Sequence, residues 1–159
     1  MVEKISIGNN AHIIPMPTVL VGSIKEGRPN FMTVAWVCRV NASPCSMCVA
    51  IGNKFTAGGI IENKEFSINI PSVNLVELTD LMGLVSGREY DKSKEFSIFY
   101  GSLKNAPMIR ECPITMECSL IESVRLKVDT VFIGEVKNVW SEEKYLTDGA
   151  PDITKVAPF

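Results

Sequence analysis

The hydrophobic positions in the first third of the chain fall into three short runs separated by turn-forming residues. The runs cover residues 18–24, 31–37 and 46–51, and each is rich in β-branched or other apolar side chains. A charged cluster with glycine and proline at 25–30 separates the first two runs, and Ser43-Pro44 precedes the third. Such runs bounded by turn residues are typical of β-strands. The sequence therefore predicts a meander of three strands that opens with a hairpin.

The middle of the chain mixes helical and strand-like periodicity. Thr56 belongs to the residue types that cap helices, so a short helix is expected from there to Asn63. Residues 66–70 alternate apolar and polar side chains, which indicates a half-buried strand. Beyond Pro71, apolar residues recur at nearly helical spacing over 72–85, with polar residues on the other side. This last segment is the most clearly predicted helix.

The last third contains two alternating stretches and a charged tail. Residues 114–121 and 130–140 predict two strands, and Gly134 inside the second indicates a bulge or a close backbone approach. No regular structure is expected over 141–159. Many short strands with one clear helix predict a mainly β fold, a β-barrel with inserted helices, in a single domain that covers residues 1–159.

The charge balance limits which partners the chain is expected to have. Sixteen basic and 18 acidic residues give a formal net charge of −2, and no segment concentrates lysine or arginine. Because a nucleic-acid-binding surface needs a basic patch, nucleic acid is not an expected partner. No run approaches the roughly 20 apolar residues that span a bilayer, and the first residues lack the apolar core of a secretory signal. Neither a membrane nor export is therefore expected.

The cysteines argue for a cytoplasmic protein. Their number, five, leaves at least one thiol unpaired within the chain, which is unlike a secreted disulfide framework. Cys45 and Cys48 form a C-x-x-C, and a thiol or metal protein that uses this pair is a less favoured hypothesis. Its strand-like surroundings place the two thiols on opposite faces, and no obvious second ligand pair accompanies it. The single histidine, His12, is expected to be structural, and no metal site is predicted.

Small polar residues at the ends of the predicted strands are the candidate binding residues. The chain has no G-x-S-x-G, no Walker loop and no G-x-G-x-x-G after a strand, so acyl transfer and classical dinucleotide binding lack local support. Hydroxyls, free N–H groups at a helix start and one or two lysines suit a phosphate monoester. From the residues alone, a plain helix cap and a surface lysine are the simpler interpretation of Lys54 and Thr56. The candidates are Asn30, Thr33, Asn53, Lys54, Thr56, Ser86, Gly87 and Lys92, the last three in a polar loop at 86–94.

A series of short motifs, taken in chain order, resembles the flavin-reductase-like family. Their order and spacing over residues 15–140 carry the resemblance, because each block alone is unspecific. The blocks are PMPTVLVG at 15–22, NFMTVAW at 30–36, Ser43-Pro44, NKFT at 53–56, EFSINIP at 65–71, Ser86-Gly87 with YDK at 90–92, Ala106-Pro107, ECP at 111–113 and FIGEV at 132–136.

This resemblance implies an FMN-binding split barrel that works as a homodimer, with the flavin near the subunit interface. It places residues 32–36 along the isoalloxazine ring and wraps the segment 50–56 around the ribityl phosphate, over which part of the loop 86–94 closes. The implied cofactor-binding residues are Asn30, Met32, Thr33, Val34, Ala35, Trp36, Ala50, Ile51, Asn53, Lys54, Thr56, Ser86, Gly87 and Lys92.

The function implied by the resemblance is that of an FMN-dependent oxidoreductase. Hydride from NAD(P)H, or electrons from a small redox protein, would pass through FMN to an acceptor. A non-enzymatic electron carrier with permanently bound FMN, of the flavoredoxin type, is the alternative. Because the cofactor supplies the redox chemistry, no catalytic side chain is required and none is predicted.

Overall fold

Antiparallel strands dominate the computed structural model, which describes residues 2–159. Seven strands form one sheet in the order β2-β1-β5-β8-β9-β4-β3, and two small hairpins lie outside it. The mainly β fold predicted from the sequence is confirmed. The strands are β1 (Val19–Lys25), β2 (Arg28–Val34), β3 (Val37–Asn41), β4 (Ser46–Gly52), β5 (Glu65–Ile70), β6 (Ile98–Phe99), β7 (Met108–Ile109), β8 (Ile114–Arg125), β9 (Asp129–Ser141), β10 (Leu146–Thr147) and β11 (Ala150–Pro151).

The connection between β2 and β3 shows that the sheet is rolled into a barrel. These two strands are its opposite edges, yet only Ala35 and Trp36 separate them in the chain. So short a link reaches at most about 10 Å, so the two edges lie side by side. The Ala50 N–H donates to the Trp36 carbonyl oxygen at 2.9 Å, which attaches the link to β4. The single strand predicted over 31–37 is therefore wrong, because the chain leaves one edge of the sheet and enters the other within it.

Three helices and three short 3-10 segments complete the fold over the residues that the structure describes. α1 follows β4 directly and packs on β1, where a side chain at Gly59 would come within 2.5 Å of the Ile24 carbonyl oxygen. α2 packs on β2. Among residues 2–159 no helix is long and apolar enough to cross a membrane. The helices are α1 (Phe55–Asn63), α2 (Val76–Leu84) and α3 (Ile153–Val156), and the 3-10 segments are Val73–Leu75, Lys92–Glu95 and Glu143–Tyr145.

The start of α1 differs from the sequence-based expectation. Lys54 is the N-cap residue, and Thr56 lies inside the first turn, where it is buried. Its Oγ1 accepts a hydrogen bond from Asn30 Nδ2 at 2.6 Å instead of capping the helix. The predicted capping role of Thr56 is therefore wrong, because the hydroxyl reaches across to β2.

Two groups of buried side chains form the core. One fills the barrel and the other lies between the sheet and α2. Alternate residues of β1 divide between them, as the two-residue period of a strand requires, because Val19 and Val21 belong to the first group and Leu20 belongs to the second. The barrel group also contains Val34, Val49, Ile51, Ala57, Ile60, Phe66, Ile68, Cys118 and Phe132, and the second group also contains Phe31, Met82, Phe96, Ile109 and Cys112.

Gly134 in β9 marks a close contact inside the barrel. A Cβ at this position would lie 2.6 Å from the ring of Phe66 and 3.0 Å from the Cβ of Cys118. The strand opposite shifts its register between Leu120 and Glu122 at the same place. Gly134 therefore has both properties indicated by the sequence, a close approach and a neighbouring bulge.

The tail predicted to lack regular structure is ordered. It forms the hairpin of β10 and β11 and then α3, where the Asp152 carboxylate accepts from the Thr154 N–H at 2.8 Å. The Ala157 carbonyl accepts from the Val73 N–H at 2.9 Å, and Val156 is buried. The prediction was wrong because the hairpin and α3 are too short to give a periodic pattern, and because the bond to Val73 joins the tail to a distant part of the chain.

Candidate functional site

A cleft of about 140 Å³ lies where the start of α1, the end of α2 and the loop after α2 meet β2. We call it the first cleft. It contains two lysines and several hydroxyl or amide groups beside an apolar wall. Its lining residues are Asn30, Met32, Lys54, Phe55, Thr56, Met82, Gly83, Leu84, Val85, Ser86, Gly87 and Lys92.

Lys92 is a buried cation in the wall of the first cleft. Only 3% of the residue is exposed, and its Nζ donates to the Met82 carbonyl oxygen at 2.7 Å. The ion pairs formed among residues 2–159 include neither Lys92 nor Lys54. Burial and the neighbouring charge of Lys54 lower the pKa of Lys92 from 10.5 to about 8. Because burying an unpaired charge is costly, this position favours an anion that is not part of the chain.

The start of α1 supplies further donors to the first cleft. No side chain caps the helix, and its first backbone hydrogen bond runs from the Gly58 N–H to the Lys54 carbonyl oxygen. The N–H groups of the first turn therefore lack an intrahelical partner, and the helix dipole adds positive potential at the same end. Thr56 Oγ1 accepts a hydrogen bond from Asn30 Nδ2, which leaves its own O–H free to donate.

The loop after α2 is fastened to β2 across the first cleft. The Arg28 guanidinium donates to the Gly87 carbonyl oxygen at 2.7 Å and lies over the ring of Phe55, 5.5 Å from its centroid. A Cβ at Gly87 would lie 1.9 Å from Asn30 Oδ1, so only glycine allows this approach. Further along, Asp91 accepts from the Ser93 N–H and Oγ and starts the 3-10 turn that carries Lys92. The polar loop at 86–94 thus forms one wall of the first cleft.

A second cleft of about 210 Å³ lies at the β2–β3 link. Met32 lines both clefts, so the two adjoin. The second cleft is formed by the end of β2, the β2–β3 link and the end of β4, with the half-exposed ring of Trp36 among its lining residues. Its lining residues are Met32, Thr33, Val34, Ala35, Trp36, Ala50, Ile51, Gly52 and Asp129.

The structure brings the sequence-predicted residues together in these two clefts, with one exception. Asn53 lines neither cleft and is exposed. Val34 and Ile51 direct their side chains into the barrel core, so only their backbone can face the second cleft. The residues found in the first cleft are Asn30, Met32, Lys54, Thr56, Ser86, Gly87 and Lys92, and those in the second are Met32, Thr33, Val34, Ala35, Trp36, Ala50 and Ile51.

Thr33 has a different role from the one its hydroxyl suggested. Its Oγ1 donates to the Thr79 carbonyl oxygen of α2, so its O–H is not free to donate to a ligand. Because Thr79 lies 46 residues further along the chain, no local pattern reveals this bond.

Several lining residues were missed from the sequence. Phe55 stood inside the quoted NKFT block, but its apolar side chain gave no sign of a binding role. Residues 82–85 lie at the end of the helix predicted over 72–85, whose apolar spacing indicates packing and not binding. Asp129 reaches the second cleft only because it pairs with Gly52 across β4 and β9. Strand pairing, which is not visible in one sequence, is what would have indicated it.

Three solved structures share this architecture. Flavoredoxin from Methanosarcina acetivorans is 46% identical with a TM-score of 0.96, covering 99% of this chain and 85% of that chain. Flavoredoxin of Desulfovibrio vulgaris (Miyazaki F) is 35% identical with a TM-score of 0.91, covering 98% and 86%. An FMN-binding protein from Thermus thermophilus is 28% identical with a TM-score of 0.83, covering 95% and 86%.

Sequence comparison gives the same result. An uncharacterized protein of Archaeoglobus fulgidus is 32% identical over 145 residues, which cover 89% of this chain and 81% of the relative. The model of the flavin reductase like domain matches residues 11–151. The chain therefore belongs to the flavin reductase like family, as its motifs suggested, and shares the split barrel of these flavin-binding structures.

Proposed function

We propose that this chain binds FMN across the two adjoining clefts, with the phosphate in the first and the flavin ring in the second. The observation that carries the proposal is the buried, unpaired ammonium of Lys92 in the first cleft. A phosphate there neutralises a charge that is otherwise desolvated without an acidic partner. The ribityl chain would run past Met32, which lines both clefts.

The remaining groups of the first cleft fit a phosphate monoester. Lys54 adds a second positive charge at the uncapped start of α1, where backbone N–H groups are free. The Thr56 hydroxyl is fixed by Asn30 and can donate to an oxygen. Helix starts with such donors are common phosphate-binding sites in proteins. Lysines, an uncapped helix and a hydroxyl thus converge on one place.

The second cleft fits a flat, mostly apolar ring. Residues of β2, the β2–β3 link and β4 line it, and among them Ala50 contributes only a methyl group. When bound, FMN supplies the hydride and electron transfer chemistry. The residues of this chain would bind and orient the ring and limit the access of water to it. The similarity to two flavoredoxins and to an FMN-binding protein supports FMN as the flavin.

The contribution of the phosphate to binding is tested by titrating the purified chain with FMN and with riboflavin, which lacks the phosphate. We expect FMN to bind at least about tenfold more tightly, as charge-assisted hydrogen bonds are worth about 1.5–3 kcal/mol. Lys92→Met should remove most of this difference. Lys94→Met is the matched control, since that side chain is 78% exposed and outside the cleft. A chain that takes up neither compound at micromolar concentrations contradicts the proposal.

The identity of the electron donor distinguishes two versions of the function. As a reductase, the FMN-loaded chain would accept hydride from NADH or NADPH and pass electrons to an acceptor. As a carrier, it would exchange electrons with a redox protein, which the 46% identity to a flavoredoxin favours. Stopped-flow mixing with each nicotinamide distinguishes them. Prompt bleaching of the flavin supports a reductase, whereas bleaching only by a reduced ferredoxin supports a carrier.

We also propose that two copies of the chain associate through the β8–β9 hairpin. Leu126 and Val128 at its tip are 54% and 75% exposed, and Ile121 in β8 is 54% exposed. Val128 directly precedes Asp129, which lines the second cleft, so a partner seated there would border that cleft. Light scattering should give a dimer mass, and Leu126→Glu should reduce it to a monomer. A wild-type chain that is monomeric at tens of micromolar would contradict this arrangement.

A further inference from the structure

Two cysteines face each other across the edge of the sheet. Cys38 of β3 is the register partner of Cys48 of β4, and their Sγ atoms lie 3.3 Å apart. Directly opposite residues of antiparallel strands have Cα atoms about 4.5–5.5 Å apart, within the roughly 4.4–6.8 Å that a disulfide accepts. The backbone therefore already has the spacing of a cross-strand disulfide.

These two thiols are also open to reagents. Cys38 is exposed on an edge strand, and Cys48 is partly exposed beside it. Cys112 and Cys118 are buried, and burial raises the pKa of both thiols, that of Cys118 to about 12. Since the thiolate is the reactive form, the two buried thiols are inert. A reagent can therefore reach the thiols of Cys38, Cys45 and Cys48 only.

The two cysteines that the fold brings together, Cys38 and Cys48, are not the two of the C-x-x-C motif, Cys45 and Cys48. Cys45 precedes β4 and lies close enough to the core residue Cys118 for its charge to raise the Cys118 pKa. Cys48 faces away from the core, because its neighbours Val49 and Met47 pack into the barrel. The fold therefore separates the two cysteines that are near in sequence and joins Cys48 to one that is ten residues away.

We propose that Cys38 and Cys48 form a reversible dithiol–disulfide couple that exchanges electrons with low-molecular-weight disulfides. In the oxidising direction, the Cys38 thiolate attacks one sulfur of the small disulfide and releases one small thiolate. Cys48 then loses its proton and attacks the Cys38 sulfur, which releases the second. Two cysteine thiols are oxidised to one disulfide, and the small disulfide is reduced to two thiols that carry away the two protons.

The state of Cys48 fits the second position in this sequence. Burial and the adjacent Cys38 raise the pKa of Cys48 to about 11, so it stays protonated until its partner has reacted. The more exposed Cys38 meets the incoming reagent first. The couple also has a defined place. Cys48 lies two residues before Ala50 in β4, on the same face of the sheet, and Cys38 is its register partner in β3. The couple therefore borders the second cleft, although its chemistry needs no flavin.

The test uses the full-length chain without added flavin. It is incubated with glutathione disulfide, its free thiols are alkylated, and its tryptic peptides are analysed by mass spectrometry. Trypsin cleaves after Arg39 and thus separates Cys38 from Cys48, whereas Cys45 and Cys48 stay together in residues 40–54. We expect a link between the two peptides and a loss of two thiols from the five present. Dithiothreitol should restore them.

Two variants identify the pair. Cys38→Ser should abolish the inter-peptide link, and Cys45→Ser should retain it. The chain unfolded in urea is the second control, because closing the short Cys45–Cys48 loop costs less entropy there and should replace the native link. A Cys45–Cys48 bond in the folded chain, a mixed disulfide that stops at glutathione, or five unchanged thiols would each overturn the proposal.

Discussion

Asn30 Nδ2 donates to Thr56 Oγ1 at 2.6 Å, and both residues are buried. This bond joins β2 to the first turn of α1, and Ser23 Oγ, in β1, donates to the Thr56 carbonyl oxygen at 3.0 Å. Asn30 also lies directly beneath Gly87 of the loop. One amide therefore positions the helix start and supports the loop, the two sides of the first cleft.

Asn30→Ala should destabilise the chain. The substitution removes the donor to Thr56 Oγ1 and leaves a cavity under Gly87, and a broken buried hydrogen bond costs about 1–3 kcal/mol. Urea unfolding followed by circular dichroism measures the change. Asn41→Ala is the control, because the bond from Asn41 Nδ2 to the Pro44 carbonyl is exposed and its loss should cost little. Equal effects of the two substitutions would contradict a special role for Asn30.

Two glycines of the first cleft should respond in opposite ways to alanine. At Gly87 a Cβ would meet Asn30 Oδ1 and the ring of Phe55, so Gly87→Ala must displace the loop, at a cost of about 1–3 kcal/mol. At Gly83 in α2 a Cβ would find only ordinary contact with Thr33 at 3.5 Å. Since alanine favours helices, Gly83→Ala should be neutral or stabilising by up to about 1 kcal/mol. Thermal unfolding of both variants decides the comparison, and an unchanged Gly87→Ala would exclude the close packing.

The sequence predicts most of the strands because their signal is local. Alternation and turn residues locate β1, β4, β5, β8 and β9 to within a few residues. Two parts of the fold depend on distant contacts and were missed. The break at Ala35–Trp36 follows from closure of the barrel, and the order of the tail follows from bonds such as that between Ala157 and Val73.

The candidate site, too, was predicted from the sequence only where its signal is local. Lysines, hydroxyls and glycine at strand ends suggested phosphate chemistry, and the motifs placed them in a flavin-binding family that the comparisons confirm. What the residues could not show is that Lys92 is buried rather than on the surface, or that Cys48 faces Cys38 rather than Cys45. Burial and strand register arise from tertiary packing, and a spacing rule within one segment does not contain them.

Glu117→Gln should lower the free energy of unfolding and make it depend less on pH in the acid range. Burial alone would raise the pKa of this carboxyl, but hydrogen bonds from the Leu103 N–H, Asn138 Nδ2 and Ser102 outweigh it and lower the pKa below 4.5. A depressed folded-state pKa stabilises the chain above the unfolded value, and that contribution is lost as the pH falls through the folded value. Glutamine accepts fewer such bonds, at a cost of about 1–3 kcal/mol.

The measurement for Glu117 is urea unfolding between about pH 3 and pH 7, the range over which carboxylates titrate. The gap between wild type and Glu117→Gln should be widest near neutrality and narrow on acidification. The exposed Glu143→Gln serves as control and should run parallel to wild type. A gap independent of pH would show that the carboxylate charge does not contribute.

Lys92→Met should stabilise the flavin-free chain at neutral pH, and the gain should shrink in alkaline solution. The pKa of Lys92 is 10.5 in the unfolded chain and about 8 in the folded one, so the unfolded state binds more protons between these values. The free energy of unfolding of the wild type therefore rises relative to the variant as the pH increases from about 8 to about 10.5. Below that window the wild type carries the full cost of a buried, unpaired cation, which methionine avoids at similar volume.

Denaturant unfolding of wild type and Lys92→Met across this pH range measures the difference in their free energies of unfolding. Tyrosines and cysteines also titrate in this range, but they are common to both proteins, so their contribution cancels in the difference. Lys94→Met, at an exposed position of the same loop, should show no such window. Adding inorganic phosphate should reduce the advantage of the methionine variant at neutral pH, because the anion supplies the missing partner of the ammonium. Profiles that stay parallel at every pH would mean that Lys92 is not desolvated, and the argument for a phosphate in the first cleft would then lose its main support.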